Sequence, residues 1–142
     1  MKYFAVFCLI VVSFYSCKKD TISPQTKALL QNKWFMAEDS IHYPSFSAAN
    51  SIYIGTDSDY YDFFPDDSVH MQFRTANGGT QFNFTPAYIL KSNSEFYLNL
   101  NPQAIYTILT LNENALVLSN SVTYSVLGGP AYDGIRITTF KR

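Results

Sequence analysis

From residue 33 onward the chain alternates apolar and polar positions with a period of two, the mark of strands with one buried face. Val69, Met71 and Phe73 fall on one side of such a strand, and His70, Gln72 and Arg74 on the other. The same reading predicts strands over 33–41, with Trp34 and Met36 on one face, and over 60–64 and 69–75. It continues with 80–90, aligning Phe82, Phe84, Tyr88 and Leu90, and with 95–100, aligning Phe96, Leu98 and Leu100. Strands over 104–111, 115–121 and 134–141 follow, the last aligning Ile135 and Ile137, with a further short candidate over 122–126. Turn residues separate these runs: Pro65-Asp66-Asp67-Ser68, Asn77-Gly78-Gly79, Ser92-Asn93-Ser94, Asn101-Pro102, Asn112-Glu113-Asn114 and Gly128-Gly129-Pro130. Pro86 has no N–H for a ladder, so it implies a bulge or an edge within 80–90. Ahead of the strands, Ser23 suits an N-cap and Pro24 a first helical position, which predicts a short helix over 24–31.

Eight strands joined by tight connections are antiparallel neighbours. The expected fold is therefore all-β, an eight-stranded antiparallel up-and-down barrel with a short N-terminal helix, which removes the sheet edges by closure. The alternative is an antiparallel β-sandwich, whose Greek-key connections need a long crossover; the one long connection is Tyr43–Asp59. In the barrel the last strand lies antiparallel beside the first, which sets Arg142 or Lys141 near Trp34 as a pair at the barrel floor. A cation over an indole contributes about 0.5–2 kcal/mol.

Alternation points Tyr61, Phe63, Phe73, Phe82, Phe84, Tyr88, Phe96 and Tyr106 inward, together with Met71, Leu98, Ile108, Leu116, Leu118, Ile135 and Ile137. The eight aromatic residues either fill the barrel or line a small ligand pocket at the end opposite Trp34. The long connection would then roof that pocket with Tyr43, Phe46, Tyr53 and Ile54. A bulge in 33–41 or 104–111 would switch the inward face there.

The first residues are of another kind. Lys2 precedes an apolar run from Tyr3 to Val12, too short to span a membrane and followed at once by polar sequence. Residues 1–16 therefore read as a secretory signal peptide. Only two cysteines are present; Cys8 leaves with the signal, stranding Cys17 alone at the new N-terminus. Ser16-Cys17 at the end of the run resembles a bacterial lipobox. That resemblance implies a lipid on Cys17 and a membrane as partner, with residues 17–22 as tether and 23–142 as the folded domain. An ordinary signal peptide leaving a free thiol is the alternative.

Composition narrows the chemistry. Among 142 residues, 17% are aromatic and the net charge is −1, which leaves no basic excess for nucleic acid. His42 and His70 belong to no recognisable nucleophile arrangement, and no zinc-type cysteine pair or Gly-rich phosphate loop is present. Asp57, Asp59, Asp62, Asp66 and Asp67 crowd together without the spacing of an EF-hand and read as solvated turn acids. The expectation is a protein that is not an enzyme, with no cofactor and no metal.

Four segments resemble the lipocalin-like lipoproteins of the Bacteroidetes: the signal ending Ser16-Cys17-Lys18-Lys19-Asp20; Leu30-Gln31-Asn32-Lys33-Trp34; the hairpin Tyr61–Val69; and the run from Tyr106-Thr107-Ile108 through Leu116-Val117-Leu118 to Thr139-Phe140-Lys141-Arg142. In this chain Asn32 and Asp67 stand where that pattern has glycine, and both residue types tolerate left-handed backbone. The resemblance implies a barrel on a lipid tether in the cell envelope, at the outer membrane, with its orientation open and no settled activity. Two functions follow. One is binding of a small apolar or amphipathic ligand in the barrel. The other is a non-catalytic interaction module with a filled barrel, touching a protein or glycan through loops and aromatics such as Tyr60, Tyr97, Tyr124 and Tyr132.

Overall fold

The computed structural model describes residues 21–74 and 81–142. The signal segment, Cys17, most of the tether and the Asn77-Gly78-Gly79 turn lie outside the described residues.

A short helix, α1 (Pro24–Leu30), opens the domain. The Ser23 hydroxyl accepts from the Gln25 N–H at 3.2 Å, and Pro24 occupies the first turn, where a missing N–H costs nothing. Asn32 closes the other end: its amide donates to the Ala28 and Leu29 carbonyls at 3.0 and 3.1 Å. Asn32 thus caps the helix with its side chain. Asp67 does adopt left-handed backbone, at φ 61°.

The strands are β1 (Lys33–His42), β2 (Ser51–Ile54), β3 (Tyr60–Phe63), β4 (Val69–Arg74), β5 (Gln81–Phe84), β6 (Tyr88–Ser92), β7 (Glu95–Leu98), β8 (Ala104–Leu111), β9 (Ala115–Ser125) and β10 (Ala131–Lys141). Every pairing is antiparallel, in the order β5-β4-β3-β1-β10-β9-β8-β7-β6, with β2 also on β1. The two ends of that order are halves of the single strand expected over 80–90. The break falls at Thr85-Pro86-Ala87, where the Pro86 carbonyl accepts from Val69 N–H at 3.0 Å and Tyr88 N–H donates to the Asp67 carbonyl at 2.8 Å. One half stays with β4 and the other with β7. The sheet therefore curls back on itself in an up-and-down barrel topology, closed on the other side by β1 against β10.

Other expectations need correction. The 43–59 connection is not a free roof. Its β2 pairs with β1 over 38–41, continuing the edge that β3 occupies over 33–35. Gly55 sits at the splice, where a Cβ would strike the Met36 backbone. The separate strand over 122–126 is the upper end of β9. Ile135 and Ile137 do not face the core; they are 51% and 39% exposed. Gly134, Arg136, Thr138 and Phe140 occupy the inward positions of β10 instead. Phe140 opposite Met36 and Thr138 opposite Asp39 fix that register. Register shifts occur between Met36 and Glu38 in β1 and between Ile108 and Thr110 in β8. The first turns Asp39 inward.

Candidate functional site

The eight aromatic residues meet in one network of ring contacts. Phe96 stacks on Tyr106 at 5.2 Å and meets Phe63 and Tyr88 edge-on at 5.6 and 6.2 Å. Phe63 reaches Tyr61 at 6.5 Å, Tyr61 reaches Phe73 at 5.8 Å, and Phe73 contacts Phe82 and Phe84 at 5.3 and 6.2 Å. Tyr61, Phe63, Tyr88, Phe96 and Tyr106 are buried, Phe73 and Phe84 half-buried, and Phe82 exposed at the edge of β5. The rings pack on one another, with Leu30, Met71, Leu98, Leu116, Leu118 and Phe140 around them. They pack into the core of the lower barrel. Such edge-on and offset pairs are the favoured aromatic geometries.

Trp34 closes this lower end. Its ring is fully buried and its indole N–H donates to the Leu30 carbonyl at 3.0 Å. The Arg142 guanidinium lies 4.5 Å from the ring centre and donates to the Leu29 carbonyl at 3.0 Å. Chain end, first strand and helix are thus tied at one point.

Above the rings the interior becomes polar. Asp39 of β1 is 5% exposed. Its Oδ1 accepts from the Thr138 hydroxyl at 2.9 Å and lies 3.2 Å from Arg136 Nε. That Nε is buried yet aligned to no acceptor, so charge rather than a hydrogen bond joins the pair. Asn120, opposite Arg136 across the β9–β10 ladder, has a buried Oδ1 without a partner. Tyr61 and Tyr106 lie beside this group, and burial pushes both phenols above their ordinary pKa. The polar band therefore comprises Asp39, Arg136, Thr138, Asn120, Tyr61 and Tyr106. Four of these six were not candidates from the pattern. The signal was present in Gly134-x-Arg136-x-Thr138-x-Phe140, whose aromatic end shares a face with the arginine.

At the mouth, Tyr43 is buried with its ring against Gly134, where any Cβ would come within 2.5 Å of Tyr43 Cδ1. Phe46 stacks on Tyr132 at 4.7 Å and on Tyr124 at 5.8 Å. Tyr53 packs against the core, while Ile54 is exposed. The candidate surface aromatics are largely engaged: Tyr124 and Tyr132 with Phe46, Tyr60 under the Lys33 ammonium at 3.5 Å, and Tyr97 near Lys91 at 5.1 Å.

The wall is uneven. β8 pairs with β9 only up to Thr107 opposite Ser119, whereas β9 continues to Ser125 on β10. A half-open recess of about 570 Å³ occupies the gap, bounded by outer-face residues such as Ile105, Thr107, Ser119 and Ile135 and, at its inner edge, by Ala104 and Asn120.

The acidic residues also sort out. Asp59 is not a solvated acid. It is 1% exposed and accepts from Tyr53 Oη at 2.8 Å, Thr56 N at 2.8 Å, Thr56 Oγ1 at 2.6 Å and Arg74 N at 2.9 Å. Burial pushes its pKa up, and the hydrogen bonds from Thr56, Tyr53 and Arg74 outweigh that, holding it below the usual carboxylate value. Asp66 accepts from the Ser68 hydroxyl and N–H, and Asp67 pairs with Lys27 at 2.8 Å on the surface. Among the described residues no group of three His, Cys, Asp or Glu gathers in metal-binding geometry. His70 contacts the Thr85 hydroxyl at 2.9 Å and His42 the Asn50 amide at 3.2 Å.

Strand order and register define the class: a curled antiparallel β-sheet of up-and-down barrel topology with the short helix α1 at its closed end. No protein-family model matches the chain, and no curated protein matches it. Among solved structures it is similar to a deswapped triple mutant of bovine odorant-binding protein, with a TM-score of 0.45 and 15% identity, covering 80% of this chain and 74% of that one.

Proposed function

We propose that this chain is a lipid-anchored protein of the cell envelope, held at the outer membrane through Cys17, whose barrel binds one small apolar or amphipathic molecule. The observation that carries the binding half is the polar band above a packed aromatic floor. An interior ion pair is a poor way to gain stability, since hydrophobic residues of similar volume do as well or better. Two polar atoms left buried without partners cost more still. Recognition of a ligand with a polar part gives these groups a purpose that packing does not.

Native mass spectrometry of residues 18–142, which contain every described element, tests the reading. An added mass lost on denaturation is the expected result. A bare chain, together with no thermal shift against a panel of amphiphiles, rules it out. The anchor half rests on Ser16-Cys17 and is tested separately: Cys17→Ser should move the protein from the membrane fraction to the soluble one, and unchanged membrane association would refute a lipid at that sulfur.

A second reading has one observation behind it. Ile52 and Ile54 of β2 are 69% and 65% exposed and share the outer wall with Ile105, Ile135 and Ile137. An aliphatic outer wall suits contact with another protein. Concentration-dependent mass in sedimentation, abolished by Ile52→Lys with Ile135→Lys, would favour it.

A further inference from the structure

The hydrogen-bonding groups of the polar band select a head group, and this inference rests on the ligand-binding reading above, because it names the class of molecule that the same interior takes. We infer that the ligand is an amphiphile with an uncharged head, an alcohol or an amide, that reaches Asn120 and Arg136 through the gap between β8 and β9.

The head group follows from what is unpartnered. Asn120 Oδ1 is a buried acceptor with no donor, while its own amide donates to the Ser121 carbonyl at 3.3 Å. Arg136 Nε is a buried donor with no aligned acceptor. The two residues face each other across the β9–β10 ladder. A hydroxyl or a carboxamide donates to one and accepts from the other; each orphan group then recovers the hydrogen bond that its desolvation cost.

The charge follows from what is already neutralised. Asp39 compensates Arg136 at 3.2 Å, and the other neighbours, Thr138, Tyr61 and Tyr106, are neutral hydroxyls. A carboxylate head would bring an uncompensated charge beside buried Asp39, and an ammonium head would face Arg136. Both carry a desolvation cost that an uncharged head avoids.

The path follows from the wall. The gap cavity is bounded by Ala104, which packs against the core, and by Asn120, but also by Ile105 and Ile135, which are 55% and 51% exposed on the outer face. Thr107, Ser119 and Ser121 complete its outer rim, so it is a recess in the outer wall with Ala104 and Asn120 at its inner edge. The top is obstructed by Tyr43 and Phe46, and the space below is filled by rings. The head therefore goes inward, and the aliphatic tail lies in the gap against Ile105 and Ile135. A volume of about 570 Å³ is within the range of small-molecule sites.

The test uses four probes with the same ten-carbon tail, 1-decanol, decanamide, decanoate and decylammonium, titrated below micelle formation into residues 18–142 and followed by intrinsic fluorescence and native mass spectrometry. Decanol and decanamide should bind at least about tenfold more tightly than either charged probe, the scale of one well-made hydrogen bond. Asn120→Leu should weaken decanol by about tenfold, and Ile105→Lys should weaken all four probes. Should Asn120→Leu not fold, Asn120→Asp serves instead and should move the preference toward decylammonium. Equal or tighter binding of decanoate overturns the head-group inference and leaves the ligand-binding reading standing. Undiminished decanol binding by the Asn120 variants overturns the assignment of that residue. Binding of no probe by the unmodified chain overturns both readings.

Discussion

At the floor of the barrel, Trp34 is fully enclosed, its indole N–H is held by Leu30 and Arg142 covers its face. Farther along the same strand, Asp39 shares the interior with Arg136 of β10, whose Nε has no aligned acceptor, and with the unpartnered Oδ1 of Asn120. The lower region has a wall on all sides and apolar contents. In the upper region β9, β10, β1 and β2 run on, while β8 has already parted from β9. The lower region does the work of folding, because burying a large apolar side chain contributes about 1.5–3 kcal/mol. The upper region holds groups whose cost the lower one offsets. Recognition chemistry is expected where local rules of packing are broken.

Trp34→Ala should be the most damaging single change, at about 3–5 kcal/mol, because it opens a cavity at the point where chain end, first strand and helix meet. Urea denaturation followed by circular dichroism should show a lower midpoint with an unchanged slope. A loss under about 1 kcal/mol would mean that the floor is not the stable end, and the contrast would collapse.

Arg136→Met probes the other end. It leaves Asp39 buried without a counter-charge; since the arginine side chain is itself 25% exposed, the cost should fall at about 2–3 kcal/mol, below that of a fully buried pair. The double change Asp39→Leu with Arg136→Met should recover most of that loss, and any ligand should be lost with it. A double variant as unstable as the single one would make the ion pair a structural element of the fold rather than part of a recognition site.

Asp59→Asn tests the splice between the two regions, where β2 takes over from β3 along β1. Its pKa is held down by Thr56, Tyr53 and Arg74, so the charged form stabilises the fold. That contribution is fully present above the unfolded carboxylate value of about 4 and disappears as pH falls through the lower folded value. The variant should lose about 1–2 kcal/mol at pH 7, and its deficit should shrink toward pH 3. A deficit independent of pH would assign the effect to shape alone.

The lower region was legible in the chain and the upper one was not, for a definite reason. Tyr61 and Phe63 fall two apart in one strand and Phe96 and Leu98 in another, and period two is enough to place them. Arg136 lies between two isoleucines, and hydrophobicity alone puts the isoleucines inside. Asp39 follows a bulge after Met36, and one extra residue inverts a face. Neither bulge position nor cross-strand register is a local property. Asp59 was legible as a turn acid by type, but its four donors come from three residues, Tyr53, Thr56 and Arg74, that only the fold assembles. Pro86 was the opposite case, because a missing N–H has the same consequence in any strand.

The smallest effect expected is at Arg142, and it discriminates most finely between closure by packing and closure by charge. Arg142→Gln keeps a long polar side chain and a donor for the Leu29 carbonyl but removes the cation from the Trp34 face. Arg142 is exposed, so the loss should be about 0.5–1 kcal/mol, and Arg142→Lys should recover part of it. The protein has a single tryptophan, so its fluorescence reports on this contact directly. Emission should change in the Gln variant while the denaturation slope stays constant. A Gln variant as damaged as Trp34→Ala would mean that the terminal cation, and not the enclosed ring, holds the floor shut. An unchanged midpoint with unchanged emission would show that packing closes it alone, which carries the contrast between an apolar floor and a charged interior to its limit.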